Sequence, residues 1–533
     1  MEEAPPALPQ LGEIHEFRDD PMTYITEKTQ PKHLSVRKTE KAKFGEVFTP
    51  PSIINAMLDQ ISKYMPHIWE DPTKKWLDPA AGFGNFPMMV YARLMTGLAK
   101  HHPDPAERSR HIIERMLYMV ELNPDSFARI KHTFGSTVNV LQGSFLDPHL
   151  RFPDGTTDQF DIIMGNPPFN AEQTHQGKPG GGAILWPSFV EKSLSDGGGD
   201  GMLLKPEGCL LFVHPALWRK PSSTKALTLF DVMVHRNHMI YLEIHSKPDG
   251  KRDFKADTRY DFYLIQKRRP IPRRDLTHVK DQIGEEHDNI DLSEWQFLPN
   301  HSFELIKPLL TTTEQDYVIF SRNQFGSDQS WVKSTKHDEY IHPLVHSTPM
   351  KGHRIYWSST TTPKVKELKP MFGVPKVIFG ESGINNAICD IRGEFGMTQG
   401  AIGLKIPDPI EREGPAMKKA LESERFHTIL DAMSFSNFRI DWRMFLFISP
   451  DFYRHEMFQG QRRAVAVATV DDADDVDLDD ADKVDDSKRT FVKVGPAREE
   501  PSKSRKKGGR TSRRKTTYKR RKYKQLRHTR KKY

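Results

Sequence analysis

The chain has 533 residues, room for two or three domains of ordinary size, and its 36% apolar content supports a buried core while leaving part of the chain non-globular. Its cysteines, Cys209 and Cys389, make no disulfide framework and fit a reducing compartment; no apolar run approaches the length of a membrane span, and the N-terminus MEEAPPALPQ lacks the pattern of a secretory signal. The net charge of +8 is concentrated at one end: residues 501–533 carry seventeen Lys and Arg and no acid, residues 471–486 carry ten Asp and one Lys, and the body before them is near neutral, so whole-chain charge says little about what the body binds.

Residues 1–40 lack periodicity and read as an N-terminal arm. In FTPPSIINAMLDQISKYM, the apolar residues Ile53, Ile54, Met57, Leu58 and Ile61 recur at helical spacing, with Thr49 as the expected N-cap and Pro50 in the first turn. WLDPAAGFGNFPMMVYARLM then reads as a strand, a glycine-rich turn and a helix. LYMVELN and PDSFARIKHTF give a second strand and helix, VNVLQGSF a third strand, and FDIIMGNPPF a fourth that ends in a proline-rich turn. A helix at LWPSFVEKSL and strands at CLLFVHP, HMIYLEI and RYDFYLIQK complete a strand–helix alternation, which predicts an α/β domain with a mostly parallel sheet covered on both faces. The basic run KRRPIPRRD sets a boundary at 275. Residues 41–275 form the first domain, residues 276–465 a mixed α/β second domain, and residues 466–533 an acidic linker with a basic, disordered tail.

Three places carry chemistry. Asp78-Pro79-Ala80-Ala81-Gly82-Phe83-Gly84-Asn85-Phe86 joins the first strand to its helix, and small residues there let a ligand approach the backbone; the third glycine of the dinucleotide pattern is absent. Glu121 ends the second strand, where an acid can hold two ribose hydroxyls, although solvated acids are common at such ends. Asn166-Pro167-Pro168-Phe169 ends the fourth strand at the same edge. An exocyclic ring amine is a poor nucleophile whose lone pair is delocalised. A site that alkylates it must accept both N–H hydrogens and draw the nitrogen toward tetrahedral geometry. The Asn166 side-chain oxygen and the Pro167 carbonyl suit that task, the prolines stiffen the turn, and Phe169 can stack on an extruded base.

In this order, GEVFTP (45–50), DPAAGFGNF (78–86), Glu121 and NPPF (166–169) resemble the amino-methylating DNA methyltransferases, and more narrowly the gamma class of adenine-N6 enzymes known from restriction–modification systems, phages and large DNA viruses. The resemblance covers about residues 41–270. It implies a Rossmann-like domain that binds S-adenosyl-L-methionine, followed by a target-recognition domain, and the activity of a site-specific adenine DNA methyltransferase. It implies that Thr49 and Pro50 contact the methionine part of the cofactor, that Asp78, Ala80, Gly82 and Gly84 line the methionine and sulfonium region, and that Glu121 holds the ribose. Asn166 and Pro167 would orient the target amine, with Phe169 stacked on its ring. GSFLDP (143–148) departs from the family's Gly-Asp, so Ser144 or Asp147 is left to meet the cofactor adenine.

Other features are more open. The loop 170–183 reads as a flap or an ordinary surface loop. Tyr260 and Phe262 could form the second face of a base sandwich, though as alternating strand residues they suit a core position better. Trp218 and Arg219 resemble a recurrent family feature without an assigned role. In the second domain Arg354, Lys376 and Arg439 sit among aromatics and amides that could read base edges and touch phosphates, and in the tail Arg513, Arg514 and Lys515 suit sequence-independent phosphate attraction. The expected partner is double-stranded DNA, with a separate restriction endonuclease left open, no membrane and no metal. The expected location is intracellular, cytoplasmic or, in a eukaryotic host, nuclear. The sequence sets no oligomeric state. Methylation of RNA bases or protein glutamine, and an inactive DNA-binding or packaging protein, are the alternatives.

Overall fold

The computed structural model describes residues 49–152, 159–169, 184–195, 203–220, 229–435 and 439–459. The arm at 1–40, the loop at 170–183 and the 466–533 tail with Arg513, Arg514 and Lys515 lie outside the described residues. Strands β1 (Trp76–Asp78), β2 (Leu117–Glu121), β3 (Asn139–Gln142), β4 (Gln159–Gly165) and β5 (Leu203–Pro215) pair in parallel, while β7 (Tyr260–Gln266) runs antiparallel to both β5 and β6 (His238–His245). With β8 (Thr277–Lys280) and β9 (Glu286–Ile290) the sheet order is β3-β2-β1-β4-β5-β7-β6-β8-β9. The expected α/β, Rossmann-like architecture is therefore present.

Alternation along the strands sends side chains to two cores, one on each face. Trp76, Leu117, Met119, Ile162, Met164, Leu211 and Phe262 join one, while Leu77, Tyr118, Val120, Ile163, Leu210 and Tyr263 join the other. Helices α1 (Pro51–Tyr64), α2 (Asn85–Gly97) and, after the short α3 (Pro105–His111), α4 (Pro124–Phe134) cover the first face. α1 buries Ile54, Met57, Leu58 and Ile61 completely, each worth roughly 1.5–3 kcal/mol of apolar transfer. Its N-cap is Pro50 rather than Thr49, because Pro51 already occupies the first helical position; Thr49 is thereby released from capping. α4 starts at Pro124, where the Asn123 side chain accepts the Asp125 N–H, and stops at Gly135. Helix α5 (Trp186–Leu194) covers the opposite face through Trp186, Phe189, Val190 and Leu194, and α6 (Lys247–Phe254) follows β6.

Because β8 and β9 pair beyond β6, the boundary expected at 275 falls inside the sheet. Past it come α7 (Phe303–Ile306) and two four-stranded sheets. One has the order β10-β17-β14-β15, from Val318–Ile319, Ala401–Lys405, Lys376–Gly380 and Gly383–Asp390; the other has β11-β13-β12-β16, from Val332–Lys333, Arg354–Ser358, His342–Ser347 and Gly396–Met397. Helices α8 (Ile410–Leu421) and α9 (Glu424–Ala432) pack with them. The core under α5 continues without a break into Phe297, Val377, Phe379, Leu404, Met417 and Phe445. Arg219, wholly buried, fastens the two parts: its Nε donates to Asp261 Oδ2 at 2.8 Å, and its terminal nitrogens donate to the Leu298 and Pro299 carbonyls and to Asn300 Oδ1. Trp218 Nε1 donates to the same Asp261 oxygen at 2.9 Å, so Trp218 and Arg219 act as a pair on one carboxylate.

Candidate active site

The chain turns to opposite sides of β1, with β2 next to it in one direction and β4 in the other. A crevice opens at such a reversal, beyond the carboxyl ends of the strands. The cavity found there is lined by Thr49, Asp78, Ala80, Gly82, Glu121, Ser144, Asn166 and Pro167, all chosen from the sequence.

Each is held by local geometry. Asp78 ends β1 almost wholly buried, with Oδ1 accepting the Ala80 N–H at 3.1 Å. Burial pushes its carboxyl up to about 8, against the Ala80 hydrogen bond and with some help from the negative Glu121. Gly165, at the end of β4 with φ +148, leaves room for it, since a Cβ there would meet Asp78 Oδ1 at 2.8 Å. Glu121 Oε2 accepts the Gly82 N–H at 2.7 Å and Oε1 the Asn123 N–H at 2.6 Å, so the carboxylate ties the glycine turn to the tip of β2. Asn166 Nδ2 donates to Thr49 Oγ1 at 3.1 Å, joining the tip of β4 to the residue before the N-cap of α1.

The remaining sequence-chosen residues stand outside the lining. Pro50 caps α1. Gly84, at φ +84, lets α2 start close to α4, since a Cβ would lie 3.1 Å from the Phe134 ring. Asp147 is exposed and its Oδ1 accepts the His149 N–H at 2.8 Å; of the two candidates in that loop, Ser144 is the one on the cavity. Phe169 is half-buried, its carbonyl accepting the Leu185 N–H.

Two expectations are corrected. Tyr260 is not a base-stacking face: it is fully buried on the α1 side of the sheet, stacked on His245 with its hydroxyl donating to Asp253 Oδ2 at 2.7 Å. Lys376 is not a DNA contact: it has 0% exposure, and its Nζ donates to Asp390 Oδ2 at 2.8 Å and to the Met371 and Val374 carbonyls. Arg354 and Arg439 keep largely exposed side chains, the first over the Tyr356 ring, the second 3.4 Å from Glu381.

Several lining residues had been given no role from the sequence. Leu122 follows Glu121 and is 56% exposed, an apolar side chain at the cavity mouth. Phe145 and Phe189 form a wall, their ring centroids 5.4 Å apart, with Lys192 over Phe145 and donating to its carbonyl. Asn85, Leu146 and Leu185 also line the cavity. Far from the cavity, Asp281, Glu285 and His287 come close enough to hold a cation, but Asp281 Oδ1 already accepts the Ile283 and Glu285 N–H groups of its own turn.

This cavity falls largely inside a segment shared with known proteins. Residues 34–180 match the family model N-6 DNA Methylase. The expected resemblance to adenine-N6 methylases is met over residues 34–180. Over 88 residues the chain is 34% identical to an uncharacterized adenine-specific methylase of Mycoplasma pneumoniae, a match that covers 16% of this chain and 21% of that protein. The chain thus spans about a fifth of the curated relative it matches. Among solved structures, the Type IIL restriction-modification enzyme MmeI in complex with DNA aligns at 11% identity and TM-score 0.43, over 77% of this chain and 68% of that one. The type I restriction enzyme EcoKI M protein aligns at 15% identity and TM-score 0.29, over 42% and 44%. Among the described residues no helix is long and apolar enough to cross a membrane.

Proposed function

We propose that the protein is a site-specific DNA methyltransferase acting on the N6 amine of adenine in duplex DNA, with S-adenosylmethionine as methyl donor. The observation that carries this reading is the Asn166–Thr49 pair at the tip of β4, on the same cavity as Asp78, Gly82 and Glu121.

The donors and acceptors present fit that cofactor. Glu121 would hold the ribose, Ser144 and the apolar Leu122 and Leu146 would border the adenine, and Thr49, Asp78 and the backbone from Ala80 to Gly82 would surround the amino-acid part. The cofactor supplies an electrophilic methyl group on a sulfonium sulfur. The protein's task is to present the amine. With Nδ2 committed to Thr49, Oδ1 is the atom of the Asn166 amide that accepts an amine hydrogen, and the Pro167 carbonyl accepts the second. Holding both hydrogens turns the nitrogen lone pair toward the methyl group. Phe169 stacks on the swung-out base.

On the same reading, the gamma-class order of motifs assigns target recognition to the chain that follows β9, residues 291–465, with Arg354 and Arg439 on the DNA. Arg513, Arg514 and Lys515 add sequence-independent phosphate attraction, and the protein works inside the cell with duplex DNA as partner, with or without a restriction endonuclease. Transfer of labelled methyl groups to duplex DNA by the wild type, lost in Asn166→Ala, tests the proposal. Label appearing in RNA or protein instead of DNA would redirect it.

A further inference from the structure

Helix α2 opens with Asn85, directly after the left-handed Gly84. The next five residues, Phe86, Pro87, Met88, Met89 and Val90, are apolar and buried, so this end of the helix is a packing surface with one polar member. Asn85 is 7% exposed and lines the cavity. Its Oδ1 is shielded from solvent and has no hydrogen-bond partner among the described residues. It does not cap its own helix, whose N-cap is Gly84 without a side-chain bond. A leucine would fill nearly the same space without stranding a polar atom, and buried polar groups ordinarily have partners.

The partner must therefore come from what enters the cavity. Resting on the cofactor reading above, the polar groups of that ligand can be apportioned. Glu121 answers the ribose, and the Ser144 loop borders the base. The charged amino-acid head, with its ammonium and carboxylate, is left for the part of the cavity that holds Asp78 and Thr49. We propose that the Asn85 amide binds this amino-acid head, and that it makes the site select nucleosides carrying the head over those lacking it.

The test compares S-adenosylhomocysteine, which has the head, with methylthioadenosine, which lacks it. Binding to the full chain is measured by calorimetry for the wild type, Asn85→Ala and Asn85→Leu, alongside thermal unfolding. The expected result is at least about tenfold weaker S-adenosylhomocysteine binding in both variants, with methylthioadenosine affinity unchanged. Asn85→Leu should also melt no lower than the wild type, because it removes the stranded oxygen and keeps the volume. Unchanged S-adenosylhomocysteine affinity, or a parallel loss for both nucleosides, would overturn the proposal. Failure of the wild type to bind either nucleoside would instead sink the cofactor reading on which it rests.

Discussion

Asn166 Nδ2 and Thr49 Oγ1 are 3.1 Å apart, although 117 positions separate the residues in the chain. The bond fixes which way the amide faces, so its loss should appear in the chemical step more than in folding. Asn166→Ala should reduce kcat by about 10²–10³. Thr49→Val, which keeps the shape and removes the acceptor, should reduce it by about tenfold, and Thr49→Ser should restore most of it. Methyl incorporation measured with circular dichroism controls decides this, and a fully active Thr49→Val would show that the bond does not orient the amide.

Gly165 touches Asp78 with no side chain between them. Gly165→Ala brings a Cβ to 2.8 Å from a buried carboxylate oxygen and places it on backbone at φ +148. The substitution should cost about 1–3 kcal/mol of stability and weaken cofactor binding in the same variant. Denaturant titration and calorimetry read the two effects; an alanine tolerated in both would mean that Asp78 has room to retreat.

Asp78 carries a pH prediction. Its carboxyl is held near 8 by burial, above its ordinary value of about 3.9, so the empty cavity favours the protonated form. The native state then binds a proton that the unfolded chain has released, and stability falls as pH climbs from about 3.9 to about 8. A cation entering beside Asp78 reverses the preference and expels that proton. S-adenosylhomocysteine affinity should therefore rise between about pH 6 and 8 and level off above. In Asp78→Asn this rise should vanish. An equal rise in that variant would assign it to another group.

Arg219 and Asp261 form an ion pair with no exposure on either side. Removing one partner strands the other, so Arg219→Met should cost about 3–5 kcal/mol in chemical unfolding. The double variant Arg219→Met, Asp261→Leu should recover part of that loss. If it unfolds no later than the single variant, the stranded charge is not the cause.

Lys376 and Arg354 should separate stability from DNA affinity. Lys376→Ala leaves Asp390 buried without its cation and should lower the melting temperature by several degrees. Arg354→Ala should leave melting unchanged, weaken duplex binding, and reduce its salt slope by about one. An unaltered slope would remove Arg354 from the phosphate contacts.

The sheet from β1 to β7 was legible because its strands are apolar and alternate between two cores, and the cavity because Asp78, Glu121 and Asn166 each mark a strand end in the text and Gly82 the turn after the first. β8 and β9 were not, since THVK and EHDNI carry too few apolar residues to stand out. Lys376 was misjudged because its neutralising carboxylate comes fourteen positions later, on the neighbouring strand. Tyr260 was offered for base stacking although alternation favoured the core it occupies, because alternation tells which residues share a face without telling which face meets the ligand. Arg219 finds its partners 42 to 81 positions away, beyond any local pattern. Asn85 lay inside the quoted motif but was given no role, because that reading followed the small residues that let a ligand approach the backbone.

The pairing of β8 onto β6 bears on any attempt to transplant specificity between proteins of this kind. A donor segment joined after residue 275 would bring its own edge or none, leaving β6 with a raw row of amides open to aggregation. A graft point after Ile290 would keep the outer hairpin with the sheet it seals, although it would still cut through the grip of Arg219 on Leu298, Pro299 and Asn300. Interchangeable parts in this molecule therefore begin later in the chain than its basic, proline-broken stretch suggests.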